Sequence, residues 1–511
     1  MSAPAVTGKI KTLEEAAADL APLRKAGRKI VHCHGVFDLL HIGHLRHLQS
    51  ARKLGDLLVV TVTPDRFVNK GPDRPAFPEA LRAEALAMLE CVDMVAINRW
   101  PSAVETIQLL KPDFYVKGSE YRQAAKDVTG GILREQQAVE SAGGCLAFTD
   151  DITFSSSSLI NRHFATHPKK TSDYLVSFAK RHPIHEVTGY LQAARDLKVL
   201  LVGEAIIDEY DYCETMGKSG KEPMLAARHL RTERFAGGSL AAANHLASFC
   251  DHVHLLTCLG TVNSHEDFIR SSLNPRIQTT LVPLQDEPTI VKRRFVEHYP
   301  FQKMFEVYEI SDKEGHEAGS RQLCAKLEEL LPLHDLVLAL DYGHGMLDAG
   351  AVKVLADGAR LLAVNTQVNA HNRGFNTISK YPRADYICIS EDEIRFDCRT
   401  RRQDLRQITQ QVAQRLDCPR ATITRGSQGC LCYDRQHGFS ESPAFTSHLV
   451  DRVGAGDAVF AVTSLCVAQN APMEVVGFTA NIVGAHAVGM VASQRTIGRV
   501  PLIKHIETIL K

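Results

Sequence analysis

Nowhere in its 511 residues does the chain carry a run of about 18 apolar residues, the length a membrane-spanning helix needs. Its start, MSAPAVTGKIKTLEEAAADL, lacks the charged-then-apolar pattern of a secretory signal. It has no net charge, since 59 Lys and Arg balance 59 Asp and Glu. That balance argues against a nucleic acid or an anionic membrane as a partner held by bulk electrostatics. The 13 cysteines include no CxxC pair, and their odd number and scatter do not suggest a disulfide framework. They read as reduced thiols that fill cores, with Cys430 and Cys432 on one strand face. Internal repeats, low-complexity tracts and the HExxH zinc motif are also missing. The expectation is a cytoplasmic globular protein, long enough for two or three domains.

The pattern of apolar runs divides it. Lys29–His34, Asp56–Val62, Met94–Ile97 and Phe114–Val116 read as strands. Helical spacing over His41–Leu54, Pro78–Glu90 and Pro101–Leu110 alternates with them. Such alternation predicts an α/β domain built on a parallel sheet, covering residues 1–165. Residues 166–196 are polar and interrupted by Pro168 and Pro183, and read as a helical linker. A second α/β domain is expected over 197–511, with strands at Lys198–Gly203, His254–Leu259, Leu336–Leu340, Leu361–Asn365, Tyr386–Ile389 and Arg420–Thr424.

The stretch HCHGVFDLLHIGHLRH, residues 32–47, packs five histidines behind the first strand. A zinc site needs further ligands and a base, which this spacing does not supply. A phosphate grip suits it better. His41 and His44 fall in the first turn of a helix, where free N–H groups and the helix dipole attract anions. Imidazoles there can donate to phosphate oxygens as charge builds. Gly35 and Gly43 leave room for close approach of a ligand. His32 and His47 read as framework, and His34 lies beside the ligand turn.

GVFDLLHIGH resembles the signature of HxGH nucleotidyltransferases. ARKLGDLLVVTVTPD, KGPDRPAFPEALRAEALAMLECVDMV, KPDFYVKGSEY and FSSSSLINR follow the pattern of sugar-phosphate nucleotidyltransferases in order, over residues 28–163. The resemblance implies a Rossmann-like fold in which His41 and His44 are catalytic, stabilising the α-phosphate of a nucleoside triphosphate. It implies nucleotide or phosphate contacts from Gly35, Phe37, Asp38, Lys70, Arg74, Lys117, Ser155, Ser156 and Ser157, with Asp38 shaping the turn. The sugar phosphate itself would attack and pyrophosphate would leave, so positioning and charge neutralisation carry the reaction, with Mg²⁺.

In the second half, DRVGAGDAVFAVTSL (451–465) places Gly454, Ala455 and Gly456 as a small-residue turn ahead of an apolar helix. Amides at such a turn hold an anion, and Asp457 at the helix start can take a proton from a hydroxyl. An N-cap aspartate is the plainer reading. The domain resembles ribokinase-like (PfkB) sugar kinases on VGEAIIDEY (202–210), FAGGSLAAANHLASF (235–249), LDYGHGML (340–347) and TRGSQGCL (424–431). The resemblance implies sugar contacts from Asp208, Gly237, Gly238 and Asn244, and nucleotide contacts from Thr424, Gly426 and Asn481. It implies a catalytic Asp457, a small β lid over 212–234 that mediates a homodimer, and Glu393 acting indirectly on Mg²⁺. Two positions and two stretches depart from that pattern, one stretch being KSGKEPML (218–225), which differs from the lid of typical heptose kinases. Ser390 stands where relatives have Asn, Arg452 where Thr is common, and AVNTQVNAHN (363–372) where heptose kinases have an Asp-Pro-Lys strand end. These bear on the sugar more than on phosphoryl transfer.

The pair of domains resembles bifunctional ADP-heptose synthesis proteins (heptose-7-phosphate kinase and heptose-1-phosphate adenylyltransferase), with the order reversed. The expectation is a bifunctional enzyme of nucleotide-activated sugar synthesis. It would use ATP and Mg²⁺, act on a sugar or sugar phosphate, and have no nucleic-acid or membrane partner. Two alternatives stay open: CTP at the N-terminal site, giving a CDP-sugar or CDP-polyol, and a kinase-like domain that binds sugar without turnover.

Overall fold

The computed structural model describes residues 8–72, 74–122, 130–149, 161, 167–311, 317–372, 374–446 and 448–511. The chain forms two compact units, Met1–Pro168 with Val500–Lys511, and Lys169–Arg499.

The first unit is a five-stranded parallel sheet in the order β3-β2-β1-β4-β5. Its strands are β1 (Ile30–Gly35), β2 (Leu57–Val62), β3 (Met94–Ile97), β4 (Phe114–Gly118) and β5 (Cys145–Thr149). Helices follow the strands, and the sheet is covered on both faces. That is why LLVVTV is an unbroken apolar run rather than an alternating one. The helix Ile42–Arg52 starts at His41, and Glu79–Ala87 carries the buried Arg82. The C-terminal helix Arg499–Ile509 has Leu502, Ile503, His505, Ile506, Thr508 and Ile509 buried. Residues 500–511 therefore complete the first unit, whereas the sequence reading left them in the second domain.

The second unit holds a nine-stranded sheet in the order β10-β9-β6-β13-β14-β15-β16-β17-β18. The strands on the β6 side are β6 (Lys198–Gly203), β9 (His252–Val262) and β10 (Gln278–Pro288). On the other side run β13 (Leu336–Asp341), β14 (Leu362–Thr366), β15 (Tyr386–Ser390), β16 (Arg420–Thr424), β17 (Cys430–Asp434) and β18 (Gly438–Ser442). Pairing is parallel up to β16 and antiparallel through β17 and β18. A separate four-stranded sheet in the order β12-β11-β7-β8 forms the lid. Its strands are β7 (Ala205–Lys218), β8 (Leu225–Gly237), β11 (Ile290–Glu297) and β12 (Gln302–Glu309). The lid is thus a pair of hairpins and reaches well beyond the stretch 212–234 read as the lid.

The segment read as a linker is not one. Its helix Lys169–Arg181 buries Thr171, Leu175 and Phe178 in the second unit. Phe178 is fully buried and stacks on Phe478 with ring centroids 4.3 Å apart. A narrow apolar stripe on an otherwise polar helix suffices to dock it. All 13 cysteines are free. No helix among the described residues is long and apolar enough to cross a membrane.

Candidate active sites

The first site forms where the strand order of the five-stranded sheet reverses, beyond the carboxyl ends of β1 and β4. After Gly35 the chain turns sharply, with Phe37 at φ 50° and its buried ring edge-on to His44 at 5.3 Å. A Cβ at Gly35 would sit 3.1 Å from that ring, so the turn needs a glycine or a shifted Phe37. His41 caps the next helix, its Nδ1 accepting the Gly43 N–H at 3.1 Å. In the neutral ring this leaves the proton on Nε2. The His41 and His44 rings stack at 4.0 Å. Burial holds His44 down at about 3, with positive charge at His41, Lys70 and His47 adding to the effect. Burial and then Lys70 also lower His41. At neutral pH the pair is therefore uncharged, with His41 offering its Nε2–H beside a helix N-terminus.

A loop bearing Lys70 and Arg74 closes this site. The Asp38 carboxylate, 2 % exposed, accepts the Ala76 N–H at 2.6 Å and pairs with Arg74 at 3.1 Å. Burial lowers Lys70 to about 8, opposed by Asp38 and reinforced by the charges of Arg74, Lys511 and Arg82. Arg82 is the buried clamp of this corner. It donates to the carbonyls of Val36, Thr63 and Phe77 at 2.5, 2.9 and 2.9 Å and pairs with Asp65. It thereby ties the ends of β1 and β2 to the start of its own helix.

The second site lies at the corresponding reversal of the nine-stranded sheet, between β6 and β13. Glu204, just past β6, accepts the N–H groups of Tyr342 and His344, each at 3.1 Å. Burial, and then the charge of Asp341, raises Glu204 to about 7. A cavity of about 500 Å³ opens beneath the lid, lined by Asp208, Lys292, Arg294, Lys303, Gln367 and Asp457 among others. Gly454, at φ 77°, precedes the helix Ala455–Ala468 and brings Asp457 into its first turn. Burial pushes Asp457 up to about 7; the Tyr342 hydroxyl, Lys292 and Gln367 oppose it and Asp208 adds to it. Gln367 Nε2 donates to Asp457 Oδ1 at 2.5 Å. Asp451 pins the glycine turn from below. It accepts from Tyr210 Oη at 2.7 Å, Val453 N at 3.0 Å and Ala492 N at 3.1 Å, and pairs with Lys303. Asp208 pairs with Arg294, in space that a Cβ on Gly237 would occupy. Lys292, 7 % exposed, faces the ring of Tyr308 at 5.2 Å, and burial lowers its affinity for a proton.

Residues 196–497, more than half of the chain, match the model of the pfkB family carbohydrate kinases. The chain belongs to the pfkB family. Residues 32–163 match a model described as cytidylyltransferase-like. The N-terminal region is also similar to proteins named bifunctional protein HldE. That of a Nitratiruptor species is 42% identical over 138 residues, covering 26% of this chain and 29% of the relative. That of Citrifermentans bemidjiense is 41% identical over 138 residues, 27% of each chain. The matches thus span under a third of either relative's length. Among solved structures, phosphofructokinase-2 from Escherichia coli in complex with potassium superposes with a TM-score of 0.50 at 15% identity, over 62% of this chain and all of that one. That similarity is one of fold.

In the pfkB unit, Asp208, Gly238, Gly454, Gly456 and Asp457 share the cavity. Ala455 opens the helix between the two glycines. Asn244 does not reach it, because its amide ties Ser272 O at 2.9 Å to Asn274 N at 2.8 Å. Asn481 likewise donates to Gly477 O at 2.9 Å and to Ser442 O at 3.3 Å. Thr424 ends β16 and Gly426 opens the short turn after it, both away from the cavity lining. Ser390 is explained by local structure. Its Oγ accepts from Glu393 N at 3.2 Å, while Glu393 returns a bond to Ser390 N at 2.6 Å, a capping box in which Ser serves as well as Asn. Glu393 also accepts from Val368 N at 3.3 Å.

In the N-terminal unit, Gly35, Phe37, Asp38, His41, His44, Lys70 and Arg74 come together, with Phe37 acting as packing beneath His44. Lys117 is spent elsewhere. It pairs with Glu135 at 3.0 Å and lies over the Tyr115 and Tyr121 rings. His34 is held by Thr61 at 2.9 Å and Thr63 at 3.2 Å, and His32 by Thr61 at 2.7 Å, which makes both framework. Ser155, Ser156 and Ser157 lie outside the described residues. Arg82, Asp451, Lys292, Arg294 and Lys303 escaped the sequence reading. For Lys292 and Arg294 the available signal was the basic run KRR inside the strand IVKRRFVE.

Proposed function

We propose that the chain is a bifunctional enzyme of nucleotide-activated sugar synthesis. The pfkB unit phosphorylates a sugar phosphate with ATP, and the N-terminal unit transfers a nucleotidyl group to a sugar 1-phosphate with release of pyrophosphate. The observation that carries the kinase half is Asp457, buried at the start of a glycine-turn helix, facing Asp208 across a cavity. With a proton affinity near 7, Asp457 can take the proton of the attacking hydroxyl. The amides at Gly454–Gly456 would receive the transferred phosphoryl group. Of the cavity's cations, Arg294 and Lys303 are paired with Asp208 and Asp451, whereas Lys292 and Arg452 line the space beside them. Those two support a substrate already bearing phosphate over a neutral sugar.

In the N-terminal unit, the neutral His41–His44 pair would donate to the α-phosphate while Lys70 and Arg74 hold the β- and γ-phosphates. The likeness to the HldE proteins supports a heptose phosphate as acceptor and ATP as donor, with CTP the alternative that the cytidylyltransferase-like match keeps open. Magnesium would arrive with the triphosphate and neutralise its oxygens. The described residues include no cluster of three His, Cys, Asp or Glu that could hold a metal, and both Glu393 oxygens accept backbone N–H groups. That donor set fits a nucleotide-borne ion and only an indirect role for Glu393. A homodimer through the lid and a cytoplasmic location belong to the same reading. The lid's exposed Met216, Leu225, Leu230 and Val307 support the dimer. The deciding experiment incubates the protein with a panel of sugars and sugar phosphates plus ATP or CTP and reads products by mass. A sugar bisphosphate and a nucleotide sugar are expected; no turnover of any acceptor would refute the proposal.

A further inference from the structure

The C-terminal segment Val500–Lys511 belongs to the nucleotidyltransferase unit although it follows the whole pfkB unit in sequence. Its place there is specific. Asn161 Nδ2 donates to Thr508 O at 2.7 Å, and Asn161 Oδ1 accepts from Arg74 at 3.4 Å. One side chain therefore joins the C-terminal helix to a candidate phosphate-binding arginine, which Asp38 holds from the other side at 3.1 Å. Beside it, Gly71 adopts φ +107°, and a Cβ there would fall 2.5 Å from the His505 ring. The His505 imidazole, 7 % exposed, thus packs close against the backbone next to Lys70. Lys511 is near enough for its charge to act on Lys70. Gly71 thus rests on the C-terminal segment directly, and Arg74 is tied to it through Asn161.

We propose that His505, Thr508 and Asn161 are positioning residues for nucleotidyl transfer: the C-terminal helix forms the floor on which the loop presents Lys70 and Arg74 to the nucleotide's phosphates. The proposal rests on the nucleotidyl-transfer reading of the N-terminal unit. It implies that this unit lacks a fully formed nucleotide site until residues 500–511 are in place.

Full-length variants test it, read as KM for the nucleoside triphosphate and kcat in pyrophosphate release, with melting temperature and ATP-dependent phosphorylation alongside. Asn161→Ala removes both bonds. The expected result is a KM raised about tenfold, with kcat changed less than about twofold and phosphorylation intact. Gly71→Ala drives a methyl into the His505 ring and should raise KM as well. Adding His505→Ala to it restores the space and should recover part of the loss. A purely structural role gives a different pattern: a lower melting temperature, no split between KM and kcat, and a double variant worse than either single one. That pattern, or an unchanged KM in Asn161→Ala, overturns the proposal. Should Asn161→Ala fail to fold, Asn161→Ser receives the same measurements. Should the wild-type chain release no pyrophosphate from any triphosphate, the nucleotidyl-transfer reading itself fails. The dissociation constants of ATP and CTP then judge the positioning role, and equal values in wild type and Asn161→Ala overturn it.

Discussion

Lys70 offers a quantitative test of the N-terminal site. Burial takes its ammonium down to about 8, against Asp38 and with the help of Arg74, Lys511 and Arg82. A bound triphosphate would return it above about 10, because a neighbouring polyanion favours the charged form. Binding and protonation are then linked. In the free protein Lys70 is about one-tenth deprotonated at pH 7, half at pH 8 and nine-tenths at pH 9. Apparent affinity for the triphosphate should therefore stay nearly flat to pH 7 and weaken about tenfold between pH 7 and pH 9, with proton uptake on binding at the upper end. Calorimetric titration of ATP or CTP across pH 7–9.5, in buffers of different ionisation enthalpy, measures both quantities. Lys70→Arg should abolish the slope while keeping affinity, since guanidinium stays charged throughout. Lys70→Met should be weak and flat. Lys511→Met should move the inflection upward by removing a nearby positive charge. A flat wild-type profile, or the same slope in Lys70→Met, would refute the reasoning.

Asp457→Asn should abolish sugar phosphorylation yet stabilise the protein at pH 8. The carboxyl is raised from its ordinary value to about 7, so stability falls as pH climbs from about 4 to 7 and the amide escapes that loss. A melting temperature higher by about 3 °C or more at pH 8, with the gain vanishing near pH 4, is the expected readout. For the wild type, kcat/KM of phosphorylation should rise with pH and level off above about 7, as expected of a free-enzyme base with that proton affinity. Phe178→Ala removes a fully buried ring stacked on Phe478 and should destabilise the pfkB unit by about 3–4 kcal/mol, measured by urea denaturation. If the lid carries the dimer, Met216→Lys with Leu225→Lys should yield a monomer by light scattering at concentrations where the wild type is dimeric.

The main-sheet strands were legible because parallel strands buried on both faces must be apolar runs. KVLLVG and DLLVVTV announce themselves. The second lid hairpin was hidden for the opposite reason. Lys292, Arg294 and Lys303 look like solvated charges in sequence and become cavity walls only once the strands pair. Lys117 erred in the other direction. Its place after the fourth strand suggested a phosphate ligand, but Glu135, on a neighbouring helix, claims it. Asn244 and Asn481 sit in the expected motifs but are turned toward backbone carbonyls by their helices. The His41–His44 pair was readable from its position at a helix start. That His41 itself is the cap, which fixes its tautomer, required the geometry. The return of residues 500–511 to the first unit has no local signal, since an amphipathic helix does not say which core it covers.

The central claim is that two separate chemistries reside in one chain. The most direct measurement assays His44→Ala and Asp457→Asn for both pyrophosphate release and ATP-dependent phosphorylation. Loss of at least about a hundredfold in nucleotidyl transfer with intact phosphorylation is predicted for His44→Ala, and the reverse for Asp457→Asn. A variant that loses both activities together while remaining folded, or loses neither, would contradict the account.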